Sequence, residues 1–323
     1  MVFLSPGGVG RLAPSPTGLL HLGNAWSFWL AWLEMRQAGG RLVLRLEDLD
    51  PARSRPGFAE QIRRDLAWLG LDWDEEAPPQ SNRGPAYEAA LAGLTARGLT
   101  YPCFCTRREL RSLAGAPQAG EAGAAYAGTC RGLSPEQRAA LAASGRAKSV
   151  RLVCPPERAW AFRDRVAGAQ NLTLAECGGD FALRRSDGVF AYQLAVVADD
   201  LDQGVTSVVR GRDLLVSTPR QLYLYELWGG RAPAYAHVPL ILDHQGERLA
   251  KRQASLSLAA LREAGAKPED IFGFLAHLSG FRDRPGPLAA GELAAGFSWD
   301  RLRPEDIKLP ESSADRPAEM LAR

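Results

Sequence analysis

The sequence is poor in net charge, in long apolar runs and in histidine. Its 323 residues carry a formal charge of only +2, so a nucleic-acid partner must be met by a local basic face and not by an overall field. No uninterrupted apolar run approaches the roughly 20 residues needed to span a bilayer. The opening MVFLSPGGVG has neither a basic n-region nor an apolar stretch of signal-peptide length, so a cytoplasmic location away from membranes is expected. Neither G-x-x-x-x-G-K-[ST] nor G-x-G-x-x-G occurs, which excludes the P-loop and the dinucleotide fingerprint. The five cysteines, an odd number, fit a reducing compartment with metal-bound or free thiols better than a disulfide framework. Histidine occurs four times, and none lies between His21 and His237.

What is present is ordinary globular material, 46% hydrophobic and 24% charged. GVGRLA predicts a short strand, PSPTGLLHLG a loop, and NAWSFWLAWLEMRQA a helix closed by Gly39-Gly40. RLVLRLEDLD predicts a strand with an acidic end. Phe58, Ile62, Leu66 and Leu69 then fall at helical spacing. Strand and helix alternating in this order predict an α/β fold with a Rossmann-type parallel sheet, spanning 9–100 and 151–256. Residues 101–150 form an insertion of short elements with too little apolar material for its own core. Capping boxes are expected there at Thr106/Glu109 and at Ser134/Gln137. FALRRSDGVFAYQLAVV reads as a hairpin, VTSVVRG as a strand, and a helix begins at Thr218-Pro219. A small helical segment is expected over 257–303 and a loosely ordered polar tail over 304–323.

The loop before the first helix is suited to an anion. A helix start offers unpaired N–H groups and a positive dipole end, and Gly18 and Gly23 allow close approach of a phosphate. His21, in the first turn, can donate to a phosphate oxygen; a histidine there also serves simply as a helix cap. GERLAKRQAS supplies Arg248, Lys251 and Arg252 far along the chain. Together the two segments make the halves of a phosphate clamp, which stabilises a transferring phosphoryl or nucleotidyl group by charge and positioning. In the insertion, Cys103, Cys105 and Cys130 give three thiols within 28 residues, the donor set of a structural zinc site. The fourth ligand is open among Tyr126, Glu109, Glu121 and a water. Cys154 and Cys177 read as small core or strand residues.

PSPTGLLHLGNA resembles the HIGH-type signature of class I aminoacyl-tRNA synthetases, and RLAKR their KMSKS-type loop, with Lys251 at its second lysine. RLAPSPTG, LRLEDLDPARS and AYQLAVVADD…VVRGRDLLVSTPRQLYLY are similar to the glutamyl branch, and the likeness runs from about residue 9 to about 280. It implies formation of glutamyl-adenylate from glutamate and ATP, with Mg²⁺ on the phosphates. His21 and Lys251 would stabilise the pentavalent phosphate, and Gly23, Asn24 and Arg248 would line the ATP site. The matching glutamate-binding residues are Arg11, Ser15, Glu47, Tyr192 and Arg210. Asp199 and Asp200 are left as turn or supporting residues. Three positions depart from the motifs: Asn24 replaces a histidine, Arg248 a lysine and Ala250 a serine.

The spacing C-x-C…Y-x-x-x-C is similar to the zinc site of the synthetases that glutamylate queuosine, which implies Tyr126 as the fourth ligand. Only 72 residues follow Lys251, too few for a separate anticodon-reading domain of ordinary size. The expected partners are therefore ATP, L-glutamate and tRNA(Asp) carrying queuosine, with no membrane, and the chain is expected to act as a monomer. Competing readings are a reduced synthetase that charges a tRNA 3′ end, a non-catalytic RNA-binding paralogue, and a nucleotidyltransferase acting without RNA.

Overall fold

The computed structural model describes residues 7–106, 108–110, 126–249 and 256–311. Strand β1 (Val9–Leu12) runs through a loop into helix α1 (Leu22–Ala38) and returns in β2 (Arg41–Leu44). The two strands are parallel, with Val9 opposite Arg41 and Leu12 opposite Leu44. Gly39 ends the helix at φ 58°, a left-handed conformation that costs glycine little. Helix α1 is buried on several faces, with Leu22, Trp26, Trp29, Leu30 and Leu33 among its covered residues. Helix α2 (Pro56–Trp68) follows, and β3 (Glu75–Glu76) adds to the edge of β2.

A second group of strands continues the sheet. Strands β9 (Ser207–Gly211), β10 (Ala234–Val238) and β6 (Ala159–Asp164) are parallel, and β7 (Gly168–Thr173) closes the edge antiparallel to β6. The two groups meet where the Thr206 N–H donates to the Val9 carbonyl at 2.8 Å. The parallel strands thus form a Rossmann-like sheet with the C-terminal ends of β1, β2, β9 and β10 on one side, where such folds bind ligands. Helix α3 (Gly84–Ala96), α5 (Tyr192–Asp202) and α6 (Thr218–Leu227) pack around a second core that includes Tyr87, Leu152, Leu194 and Leu224. Among the described residues, no helix is long and apolar enough to cross a membrane.

Between these parts, β4 (Thr100–Cys103), β5 (Ser149–Leu152) and β8 (Ala182–Arg184) form an antiparallel sheet, and α4 (Pro135–Ala143) lies on the insertion. Both expected capping boxes are present. The Thr106 N–H donates to Glu109 Oε2 at 2.7 Å while Thr106 Oγ1 accepts the Glu109 N–H at 3.2 Å. Ser134 and Gln137 exchange the same pair of bonds at the start of α4. Helix α7 (Leu258–Glu263) and α8 (Pro268–Leu278) form the C-terminal helical segment. Phe272 of α8 packs its ring 4.8 Å from that of Trp29.

Three expectations are corrected. The second arm of the hairpin is helix α5: only an Arg184–Phe190 bridge remains of the pairing. Its residues Gln193 to Val197, Asp199 and Asp200 are all buried, so the run carries no one-sided periodicity and its valines mimic a strand. Asp199 and Asp200 are consequently in a buried helix, which removes the turn alternative and leaves that of supporting residues. Residues 304–311 are not a loose tail. Strand β12 (Ile307–Lys308) pairs in parallel with β11 (Ile241–Leu242), and Ile307 and Leu309 are buried.

Candidate active site

A cleft of about 660 Å³ opens at the C-terminal ends of the parallel strands. Arg11, Ser15, His21, Gly23, Asn24, Glu47, Tyr192, Arg210 and Arg248 all line it. Lys251, Ala250 and Arg252 lie outside the described residues, as does Glu121.

His21 caps α1. Its Nδ1 accepts the Gly23 N–H at 3.1 Å, and its own N–H donates to Asn24 Oδ1 at 3.0 Å. An Nδ1 that accepts leaves the proton of the neutral ring on Nε2. A Cβ on Gly23 would stand 3.0 Å from His21 Cε1, so the glycine leaves the imidazole its seat. His21 thus fills the cap role, and the same residue lines the cleft. His21 also forms a bridge with Ser257, the N-cap of α7, and the Leu258 N–H donates to the Leu20 carbonyl at 2.8 Å. On the opposite wall Arg248 pairs with Asp213 at 2.5 Å.

The other end of the cleft is dense in buried charge. Arg11 is 5% exposed and donates from Nη1 to the Val209 carbonyl at 3.1 Å, while its Nε has no hydrogen-bond partner. Arg45, fully buried at the exit of β2, bonds Asp200 at 2.7 Å, Gln203 at 2.8 Å and Glu47 at 3.2 Å. Burial opposes its charge, but Asp200, Glu47 and Asp199 more than offset that and raise its pKa. Burial likewise pushes the Glu47 carboxyl up, against the pull of Arg45 and Arg11. Burial also raises the Tyr192 phenol, which shares its electrostatic surroundings with Arg210, Glu47 and Arg11. Asp199 takes Gln80 at 2.7 Å, Arg83 at 2.6 Å and the Tyr87 hydroxyl at 2.9 Å.

Arg210, at the end of β9, is anchored on three sides. Nη1 donates to Gln221 Oε1 at 2.8 Å, Nη2 to Thr218 Oγ1 at 2.9 Å, and Nε to His237 Nε2 at 2.9 Å. The sequence reading missed Arg45, Asp164 and His237. Arg45 left one signal, an arginine inside the apolar run RLVLRLE. The other two left none, because their pairing joins residues 73 positions apart.

The thiols of Cys103, Cys105 and Cys130 lie within 4.8 Å of one another, with Cys105 and Cys130 at 3.6 Å. Three sulfurs about 2.3 Å from a shared zinc require spacings of this order. The Tyr126 hydroxyl accepts the Cys130 N–H at 2.8 Å and lies 3.4 Å from Cys103 Sγ. Burial works against the Cys103 thiolate, but hydrogen bonds from Tyr126, the Cys105 backbone and Arg151 bring its pKa down to about 7. Glu109 is committed elsewhere, to the Thr106 cap and to Arg146 at 2.7 Å. Cys154 and Cys177 are buried free thiols, as small core residues are.

Residues 9–284 match the family model described as tRNA synthetases class I (E and Q), catalytic domain. The chain belongs to this class I synthetase family. This synthetase is 53% identical over 315 residues to the glutamyl-Q tRNA(Asp) synthetase of Nitratidesulfovibrio vulgaris, covering 95% of this chain and 97% of that one. It is 50% identical over 310 residues to the protein of the same name from Symbiobacterium thermophilum, covering 93% and 95%. Among solved structures, the glutamate-tRNA synthetase of Elizabethkingia anophelis superposes with a TM-score of 0.80 at 27% identity, over 95% of this synthetase and 69% of that chain. The synthetase is thus a ligase, and its cleft lies at the C-terminal ends of parallel strands, where open α/β folds bind ligands.

Proposed function

We propose that the protein activates L-glutamate with ATP in the absence of tRNA, and then transfers the glutamyl group to queuosine in the anticodon loop of tRNA(Asp). The observation that carries this is a single cleft with an anion-ready helix start at one end and, at the other, two buried arginines beside a carboxylate and a phenol. The relatives named glutamyl-Q tRNA(Asp) synthetase support the choice of acceptor.

In this reading Arg210 and Arg11 provide the positive charge for the substrate carboxylates, and a carboxylate grips a guanidinium through paired hydrogen bonds. Glu47, Ser15 and Tyr192 receive the ammonium. The α-carboxylate oxygen attacks the α-phosphorus of ATP; the new acyl-phosphate bond forms as the bond to the β-phosphate oxygen breaks and pyrophosphate leaves. His21, Gly23, Asn24, Arg248 and Lys251 surround the phosphates, with His21 and Lys251 countering the charge that builds on the α-phosphate. When bound, Mg²⁺ adds neutralisation of the phosphate oxygens. In the second step a hydroxyl of the queuosine cyclopentene ring attacks the acyl carbon. An ester forms, AMP leaves, and the hydroxyl proton passes to the AMP phosphate or to solvent. Cys103, Cys105, Cys130 and Tyr126 hold one structural zinc ion that fixes the insertion.

The test is glutamate-dependent ATP–pyrophosphate exchange without tRNA, followed by transfer of labelled glutamate to queuosine-containing and queuosine-free tRNA(Asp). Exchange with label only on the queuosine-containing tRNA is expected. No exchange overturns the activation step, equal labelling overturns the queuosine acceptor, and charging of unmodified tRNA(Glu) points to a 3′-end synthetase.

A further inference from the structure

Beneath the glutamate end of the cleft, a buried chain of polar groups runs from Asp164 through His237 to Arg210. Asp164 ends β6, His237 lies on β10 and Arg210 on β9, so three adjacent parallel strands each supply one member. Asp164 is 1% exposed, His237 0% and Arg210 5%. Asp164 Oδ1 accepts the Val166 N–H at 2.9 Å and the Ala167 N–H at 2.8 Å, while Oδ2 lies 2.7 Å from His237 Nδ1. The His237 backbone N–H reaches both carboxylate oxygens at 3.1 Å.

The direction of the chain follows from donor and acceptor types. A carboxylate that accepts on every side is ionised, and burial, which opposes the charge, is outweighed by the hydrogen bonds from His237, Ala167 and Val166, so its pKa is lowered. His237 must then donate through Nδ1 and present the lone pair of Nε2. Arg210 Nε can only donate, and it stands 2.9 Å from that lone pair. Burial keeps the imidazole neutral, with its pKa pushed down to about 4. Thr218 Oγ1 closes the triangle, 2.9 Å from Arg210 Nη2 and 3.2 Å from His237 Nε2. The protonated-Nε2 tautomer would face the guanidinium N–H donor to donor.

We propose that Asp164 and His237 are positioning residues for amino-acid selection, in which Asp164 holds the His237 tautomer whose Nε2 lone pair fixes the Arg210 guanidinium toward the substrate carboxylate. This rests on the reading of Arg210 as the carboxylate grip. Neither residue faces the substrate itself; neither lines the cleft. An arginine side chain left to itself samples many rotamers, and a bidentate grip needs one plane. The chain supplies that plane before glutamate arrives, so its loss is felt in glutamate binding more than in ATP binding.

The test is Asp164→Asn, which keeps the shape of the side chain. The amide oxygen retains the Val166 and Ala167 N–H groups, so the new amide N–H faces His237 Nδ1 and drives the ring proton to Nε2. Nitrogen-15 NMR of labelled histidine reports this directly. We expect His237 protonated on Nδ1 in the natural protein and on Nε2 in the variant. In tRNA-free exchange, the glutamate KM should rise about tenfold or more, the loss typical of a hydrogen bond to a charged group, while the ATP KM stays within about twofold. His237→Gln, with an amide oxygen near the Nε2 position, should keep the glutamate KM within about threefold of normal, and His237→Leu should not. These two variants carry the test if Asp164→Asn does not fold.

An unchanged tautomer in Asp164→Asn, parallel rises in both KM values, or equal behaviour of His237→Gln and His237→Leu overturns the proposal. A normal glutamate KM in Arg210→Leu alongside an inverted His237 tautomer removes the link to glutamate alone. An absence of exchange in the natural protein removes the activation reading instead, and leaves the tautomer result standing.

Discussion

Asn24 Oδ1 accepts the backbone N–H of His21 at 3.0 Å, so the residue that departs from the HIGH-type pattern serves as the third residue of a capping box. Its amide stands in for the glutamine or glutamate that usually closes such a box.

Asn24→Ala should remove that bond and destabilise the fold by about 1 kcal/mol, as lost caps do. Urea unfolding checks the loss. Exchange activity should fall with it, because the cap also orients His21. Full activity at reduced stability would separate the two roles.

Gly23→Ala should act on the His21 ring, and through its Nδ1 on the cap. The added methyl meets His21 Cε1 at 3.0 Å, so the imidazole must turn. The variant should lose about tenfold or more in kcat for exchange, while the alanine's better helix propensity offsets the weakened cap and leaves stability little changed. Single-turnover adenylate formation measures it.

Arg45→Met should be costly. It leaves Asp200 and Glu47 without the buried cation they share, while Asp199 keeps Arg83, and breaking such a pairing typically costs about 3–5 kcal/mol. Thermal unfolding at neutral pH should show the loss. Full recovery by adding Asp200→Asn would contradict the view that Glu47 also depends on Arg45.

Stability should fall as the pH drops from about 6.5 to about 4, in part because of His237. Its pKa is about 4 in the folded protein against 6.5 in the free side chain. Across that window the unfolded chain binds a proton that the folded chain refuses, so acid favours unfolding. The share of His237 is about 3 kcal/mol between pH 7 and pH 4. The difference in urea stability between the natural protein and His237→Gln should shrink by about that amount over the same range.

With zinc held as proposed by Cys103, Cys105, Cys130 and Tyr126, Cys130→Ser should lose the metal and leave the sheet core intact. Metal analysis should show zinc lost in the variant, with exchange of amide hydrogens accelerated around β4 and α4. Full zinc occupancy would remove Cys130 from the ligand set.

Much of this molecule was legible in order along the chain. The β1–α1–β2 unit announced itself through alternating patterns and Gly39-Gly40, and both insertion caps through residues three apart. The nine described candidates for glutamate and ATP meet at one cleft because parallel strands deliver their C-terminal ends to one edge. What was not legible has a common cause: environments that remove the pattern. Helix α5 is covered on nearly all sides, so its sequence shows no polar face, and Asp199-Asp200 looked like a turn. Asp164 and His237 were silent because a buried acid and a buried histidine become meaningful only through each other. Ile307 and Leu309 are two apolar residues in a polar stretch, too few for any periodicity.

Those two residues matter beyond their number. The Ile307 N–H donates to the Leu240 carbonyl at 2.8 Å, and Asp306 Oδ1 accepts the Leu240 N–H at 2.8 Å. Leu240 and Ile241 are themselves part of the cleft wall. The 306–309 stretch is therefore masonry for a cleft wall built more than sixty positions earlier. Shortening the chain before Leu309, or fusing bulk against β12, should disturb that wall from behind.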